Sequence, residues 1–298
     1  MPLLVLLVVA ITFGSLVSFL TWRYPSPGLA SPTPTVAAAK AVGRELAQHS
    51  RLRRTIKRRL NPEIATGLAL TVALGFVLLG GIVLAAFAYL VRTNSQLVDL
   101  DASVAQWGAD HTGAVSERGL SWITHLGDTE LVIVLAVVLA LVEYIRRPGR
   151  WTVPFLVVVI LGQNLLTNGL KELLDRVRPT LNPIAETLGP SFPSGHSATA
   201  AAFYAAAALV IGRGRSSRAR ALIAGSAAAI AVAVACTRVL LDFHWLSDVV
   251  AGLALGWAWF AVCSIAFGGR MLKFGAVVEE VVEAADAESR RTAVTQAH

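Results

Sequence analysis

The most constraining feature of this chain is a succession of apolar runs at residues 3–20, 65–91, 131–144, 153–170, 198–211, 222–236 and 249–267. A helix needs about 20 apolar residues to cross a hydrocarbon layer. Inside that layer each backbone N–H and C=O must be satisfied within the structure itself, which restricts spanning segments to helices or closed barrels. Each run is therefore expected to be a spanning helix. The composition agrees, with 55% hydrophobic and 15% charged residues and a mean hydropathy of +0.63, against about 25% charged residues in an ordinary soluble domain. The expected fold class is all-α, a polytopic transmembrane helix bundle.

Charge then orients the bundle. The 26 Lys and Arg exceed the 19 Asp and Glu, giving a net charge of +7. The basic residues cluster between apolar runs and do not form a basic face with interleaved aromatics, so no nucleic-acid partner is expected. Basic connections stay cytoplasmic: residues 23–59, then Arg146, Arg147 and Arg150, then Arg213, Arg215, Arg218 and Arg220. Residues 92–130, 171–197 and 237–248 are left on the outer face of the cell membrane. Cys236 and Cys263 fall inside apolar runs and read as packing residues.

Four regions are expected. Residues 1–22 form an N-terminal transmembrane anchor, preferred to a cleaved signal peptide because no Lys or Arg precedes the run. Residues 23–64 form a basic linker, with a Pro-rich hinge at 24–34 separating the first helix from the rest. Its stretch 36–60 suits a helix lying on the anionic inner leaflet, and equally a solvated linker that only fixes topology. Residues 65–270 hold six helices, and 271–298 form a cytoplasmic tail.

Chemistry concentrates in the later outer connections, in polar residues that membrane insertion does not require. They are Lys171-Glu-Leu-Leu-Asp-Arg-Val-Arg178-Pro179, Pro193-Ser194-Gly195-His196, and Arg238-Val-Leu-Leu-Asp-Phe-His244-Trp-Leu-Ser-Asp248. Lys171 and Arg178 are seven residues apart, two helical turns, so a helix continuing past the membrane turns both one way. The Arg fork can then grip two phosphate oxygens; a pair of interfacial anchors would use the same residues. Ser194 can cap the following helix, Gly195 lets the backbone approach a ligand, and the helix start offers free N–H groups to an anion. A plain helix start explains Ser194 and Gly195 but leaves His196 without a task. On a helix, His244 and Asp248 at i and i+4 share a face, so the carboxylate can hold one ring nitrogen while the other attacks. The pair could also ligate Zn²⁺, but no His-Glu-x-x-His or Cys pair completes a site. Arg238, six residues before His244, can add a further positive group.

Taken in order, Lys-x6-Arg-Pro, Pro-Ser-Gly-His and Arg-x5-His-x3-Asp resemble the signature of the type 2 phosphatidic acid phosphatase (PAP2) superfamily, which includes lipid phosphate phosphatases and bacterial undecaprenyl-diphosphate phosphatases. The motifs cover residues 171–248, and six of the seven runs, from residue 65 on, resemble the family's six-helix core. The first helix and the basic linker are additions, and Thr237 stands where the family commonly has Ser. The resemblance implies that His244 attacks phosphorus to give a phosphohistidine, with Asp248 orienting its ring, and that His196 protonates the leaving oxygen. It implies that Lys171, Arg178, Arg238, Ser194 and Gly195 hold the non-bridging oxygens, and that neither a metal nor another cofactor is needed. The implied substrate is a lipid phosphate or diphosphate. An isoprenoid diphosphate, such as undecaprenyl or decaprenyl diphosphate, is favoured over phosphatidic acid or phosphatidylglycerophosphate. A lipid phosphotransferase and a non-catalytic transporter of anionic lipids are the other classes open to such a chain.

The remaining polar residues carry weaker expectations. Asp128-Thr129-Glu130 reads as a helix start after Gly127, and Trp107, His111, Trp122 and His125 as interfacial residues of a connection that could cover the site. Gln163, Asn164 and Asn168 are expected to bond to neighbouring helices; Asp175 and Asp242 could tune the site, with a solvated loop position as the default expectation.

Overall fold

A computed structural model describes residues 1–24, 89–90, 93–146, 149–180, 182, 185 and 187–271, with side chains up to residue 267. The second apolar run apart from residues 89–90, the basic stretch 36–60 and the tail after 271 lie outside the described residues. Within them the chain forms eight α-helices and no strand: α1 (Pro2–Arg23), α2 (Ser95–His111), α3 (Ala114–Thr124), α4 (Thr129–Arg146), α5 (Thr152–Leu174), α6 (Gly195–Gly212), α7 (Ser217–Leu240) and α8 (Leu246–Met271).

Five of these, α1 and α5 to α8, are long and apolar enough to cross a membrane. The run at 131–144 becomes α4, whose 18 residues span only about 27 Å at 1.5 Å per residue. A 3₁₀ turn at His125–Gly127 joins it to α3, and the two segments meet at a bend of 55°. The turn is pinned from α6, where the Tyr204 hydroxyl donates to Leu126 O at 2.9 Å.

The first helix corrects one expectation. The hinge expected at 24–34 lies outside the described residues from 25 on, but the helix is not set apart from the rest: it packs antiparallel on α7, where Leu6 clusters with Leu240 and Leu241 and Gly14 meets Gly225 and Ala229. A Cβ added at Gly14 would stand 2.7 Å from Gly225 O. Lipid tails are as apolar as the helices, so such pairs are held by close packing of small residues, not by hydrophobic driving force. Phe13 also stacks on Trp257 of α8, with ring centroids 5.5 Å apart.

The end of the bundle opposite the polar motifs is tied by an ion pair on the buried Glu143. Arg213, after α6, donates to Glu143 Oε2 of α4 at 2.9 Å and to Thr152 Oγ1 at 3.2 Å. The expectation for the amides of α5 is also corrected. Gln163 donates to Thr167 Oγ1 at 2.5 Å and Asn164 to Ile160 O at 3.0 Å, so both bond within their own helix. Each finds its acceptor one turn away on α5.

Candidate active site

Helices α5 to α8 alternate in direction, so the C-terminus of α5, the N-terminus of α6, the C-terminus of α7 and the N-terminus of α8 meet at one end. The three motifs occupy those four ends. The structure therefore brings together residues as distant in sequence as Lys171 and Asp248.

The α5 helix stops earlier than two turns past Lys171. It ends at Leu174, and Asp175 takes the left-handed conformation with φ 36°, its N–H bonding to Lys171 O at 3.1 Å. Arg178 thus leaves the helix axis, which corrects the expectation of a continuous helical pair. It is folded back by its own donors. Nε bonds to Gly189 O at 2.8 Å, Nη2 to Pro190 O at 3.2 Å, and Nη1 to Phe243 O at 2.8 Å and His244 Nε2 at 3.1 Å. Burial lowers Arg178 below its ordinary value, opposed by the charge of Asp248, and a guanidinium stays cationic at neutral pH regardless.

The contact with Arg178 fixes the tautomer of His244. A guanidinium has donors and no acceptor, so His244 Nε2 must present its lone pair and Nδ1 must carry the hydrogen. Nδ1 faces Asp248 Oδ2 at 3.5 Å and Ser191 Oγ at 3.4 Å. His244 is in the turn before α8, not within it, and Asp248 is in the helix's first turn. Burial pushes the His244 imidazole down to about 3, against the pull of Asp248, so the ring is neutral at physiological pH. A neutral ring with its Nε2 lone pair aimed into a cationic site is the form a nucleophile needs.

Asp248 is fully buried and carries more partners than the sequence suggested. Oδ2 accepts from Ser191 Oγ and from Trp245 N–H at 3.0 Å, while Oδ1 accepts from Arg176 Nη1 at 2.5 Å. Arg176 is itself held by Asp101 of α2, at 2.8 Å from Nη2, and by Ser247 Oγ at 2.7 Å. Asp101 also accepts from Ser247 N–H at 2.9 Å, which ties α2 to the start of α8. Neither Arg176 nor Asp101 was singled out from the sequence. A signal existed for the first, a second Arg two residues before Arg178, whereas Asp101 has no motif around it.

Across the site, Ser194 is the N-cap residue of α6 by position, but its hydroxyl makes no cap bond. It accepts from Ser197 Oγ at 3.0 Å, and its N–H donates to Asp248 O at 3.1 Å, which corrects the expected capping role. The first backbone bond of α6 is Ala198 N–H to Ser194 O at 3.1 Å. The N–H groups of Gly195, His196 and Ser197 precede it and are the leading donors of the helix. His196 Nε2 lies 2.8 Å from Asp128 Oδ1.

Arg238, buried at the end of α7, donates to Thr124 Oγ1 at 3.1 Å and stacks its cation 4.2 Å over the Phe243 ring. It is an electrostatic neighbour of both His196 and His244, and Lys171 neighbours His196, Arg178, Arg238 and Asp248. Thr237 uses its hydroxyl on its own helix, bonding to Val234 O at 2.6 Å, a bond either Ser or Thr can make. Asp242, expected to be solvated, is buried, whereas Asp175 is exposed.

Fold and site together define a multi-pass helical membrane protein whose two imidazoles and three cations gather at one end of the bundle. The PAP2 superfamily profile matches residues 151–271. Phosphatidylglycerophosphatase B of Bacillus subtilis is 33% identical over 139 residues, 46% of this chain and 68% of that protein. A lipid A 1-phosphatase of Rhizobium etli is 30% identical over 177 residues, 52% of this chain and 72% of that protein. The crystal structure of a transmembrane PAP2 type phosphatidylglycerolphosphate phosphatase from Bacillus subtilis superposes with a TM-score of 0.57 at 28% identity, covering 64% of this chain and 94% of that one. The chain belongs to the PAP2 superfamily.

Proposed function

We propose that the protein hydrolyses the terminal phosphate or diphosphate ester of a membrane lipid through a phosphohistidine. The observation that carries this reading is the geometry of His244: Nε2 presents its lone pair beside the Arg178 guanidinium, while Asp248 stands behind Nδ1–H. Nε2 attacks phosphorus, the bond from phosphorus to the leaving oxygen breaks, and His196 gives that oxygen a proton. Lys171, Arg178, Arg238, the Ser194 hydroxyl and the Gly195 N–H hold the non-bridging oxygens, and Asp248 offsets the positive charge on the His244 ring. Water then attacks phosphorus, losing a proton to His196, and the P–N bond breaks to release phosphate. Phosphoryl transfer is catalysed mainly by positioning and charge stabilisation, which the fixed cations supply without a metal. The site faces the outer side of the membrane in this reading, and the lipid enters laterally.

An isoprenoid diphosphate is the favoured substrate. The relatives support a second reading, a glycerophospholipid phosphate, since one bears the name phosphatidylglycerophosphatase B. The test is phosphate release by purified protein in detergent with chelator present, against undecaprenyl diphosphate, phosphatidylglycerophosphate and phosphatidic acid. The expected result is release from at least one, with label from ³²P-substrate trapped on protein in an acid-labile, base-stable bond. Activity that stops with chelator and returns with Mg²⁺ overturns the mechanism. In the same assay Arg176→Ala is expected to lower kcat by about 10- to 100-fold with little change in KM. It leaves Asp248 without the guanidinium that holds Oδ1, and misplacement by about 1 Å is enough for a loss of that size.

A further inference from the structure

Asp128 lies far from the three motifs, at the start of α4, yet its carboxylate reaches the site. Oδ1 is 2.8 Å from His196 Nε2, and Oδ2 is 2.6 Å from Nδ1 of His125. The segment carrying it is fixed from several sides. Tyr204 bonds to Leu126 O, Arg238 bonds to Thr124, and Gly127 is so close to α6 that a Cβ there would stand 3.1 Å from His196 Cβ. An ionised carboxylate only accepts, so His196 keeps its hydrogen on Nε2 toward Asp128 and has Nδ1 left for the substrate. The charged groups facing His196 are then Asp128 from α4, Lys171 from α5 and Arg238 from α7. Two of them repel an imidazolium, and Asp128 is the one that favours it.

We infer that Asp128 is a positioning residue for His196: with the ring as the imidazolium, Asp128 holds Nε2–H so that the Nδ1–H bond breaks toward the leaving oxygen, the electron pair staying on Nδ1 and the ring left neutral. His125 holds the other carboxylate oxygen and keeps Asp128 turned to the site. The site thus contains two His–Asp pairs, His244 with Asp248 for attack and His196 with Asp128 for departure. The inference rests on the reading of His196 as general acid given above.

The test compares two substrates, short-chain phosphatidic acid and a nitrophenyl phosphate bearing an alkyl chain of similar length. An alkoxide leaving group needs a proton and a nitrophenolate does not. His196 also takes a proton from water in the second step, which both esters share, so the comparison is read in kcat/KM, which ends at cleavage of the P–O bond. Asp128→Asn is expected to lower it on phosphatidic acid by about 100-fold, the scale of general acid catalysis. On the nitrophenyl ester the loss in kcat/KM is less than about 5-fold. Asp128→Glu, which keeps the charge, recovers part of the loss. Should Asp128→Asn fail to fold, Asp128→Glu carries the same comparison, with the loss again confined to the alkyl ester. Equal losses on both esters overturn the inference and make Asp128 a structural residue. His196→Ala separates the two claims: a loss confined to phosphatidic acid there, with none in Asp128→Asn, rejects only the role of Asp128. Leaving-group independence in both variants rejects the general acid and the inference with it.

Discussion

His244→Ala is expected to remove phosphate release almost entirely, by about ten-thousand-fold or more, with the protein still folded in detergent. The loss is large because the variant deletes the attacking atom; removing a nucleophile forfeits nearly all the advantage of the catalytic groups that act with it. His196→Ala removes a proton donor instead and should fall by about 10²- to 10⁴-fold. The ³²P label distinguishes them: His244→Ala traps none, whereas His196→Ala keeps the attacking nitrogen and still accumulates label, only slowly. Full activity in His244→Ala rejects the nucleophile. The same residue leaves a signature in stability. Its ring goes from an ordinary value of 6.5 to about 3 on burial, so between those pH values the unfolded chain binds a proton that the folded chain does not. Stability supplied by the neutral ring is therefore present above pH 6.5 and lost as pH falls toward 3. Thermal melts over that range should show a shallower acid-side decline in His244→Ala than in the unaltered protein.

The parts of the site legible in the sequence are those whose residue types are out of place in a membrane protein. A Lys, two Arg and two His near the ends of apolar runs stand out because burying such groups is costly, and the alternation of basic connections gathers them at one end. Residues that support those groups were not legible, for a physical reason. Asp128 reaches His196 across 68 residues, Arg176 reaches Asp101 across 75, and Ser247 reaches Asp101 across 146. No local periodicity encodes a contact between separate elements. Asp128 also fits a helix start perfectly well, since the 3₁₀ turn and α4 meet there, and that sufficient local role concealed its second one. The position of α1 was missed differently. Its length and apolarity mark a span, but the partner is set by Ala10, Gly14 and Ser18, small residues at intervals of four that become meaningful only beside Gly225 and Ala229 of α7.

The same logic of small residues gives the second large expected effect, in Gly256→Val. Gly252 and Gly256 lie four apart on the face of α8 that meets α6. A Cβ at Gly252 would stand 2.6 Å from Ser194 O, and one at Gly256 would collide with Ala198 O while lying 2.7 Å from the Ala201 Cβ. Backbone carbonyls cannot rotate aside as a flexible side chain can, so the helices themselves must separate. Overpacking of this kind is worth about 3 kcal/mol or more. Its functional effect exceeds its effect on stability, because the crossing sets the distance between His196 at the start of α6 and Asp248 at the start of α8, where Ser194 N–H bonds to Asp248 O. Gly256→Val should therefore lower the melting temperature in detergent, and in the fraction that stays folded it should lower kcat by about 100-fold through misplacement of the two rings. Gly169→Ala is the matched control: an added Cβ there meets nothing within 4 Å, and Ala in place of Gly within a helix is favourable by about 0.5–1 kcal/mol. A Gly256→Val protein with unaltered melting temperature and kcat would show that α6 and α8 can part without disturbing the site, and that the positions of the two imidazoles are set by the connecting loops alone.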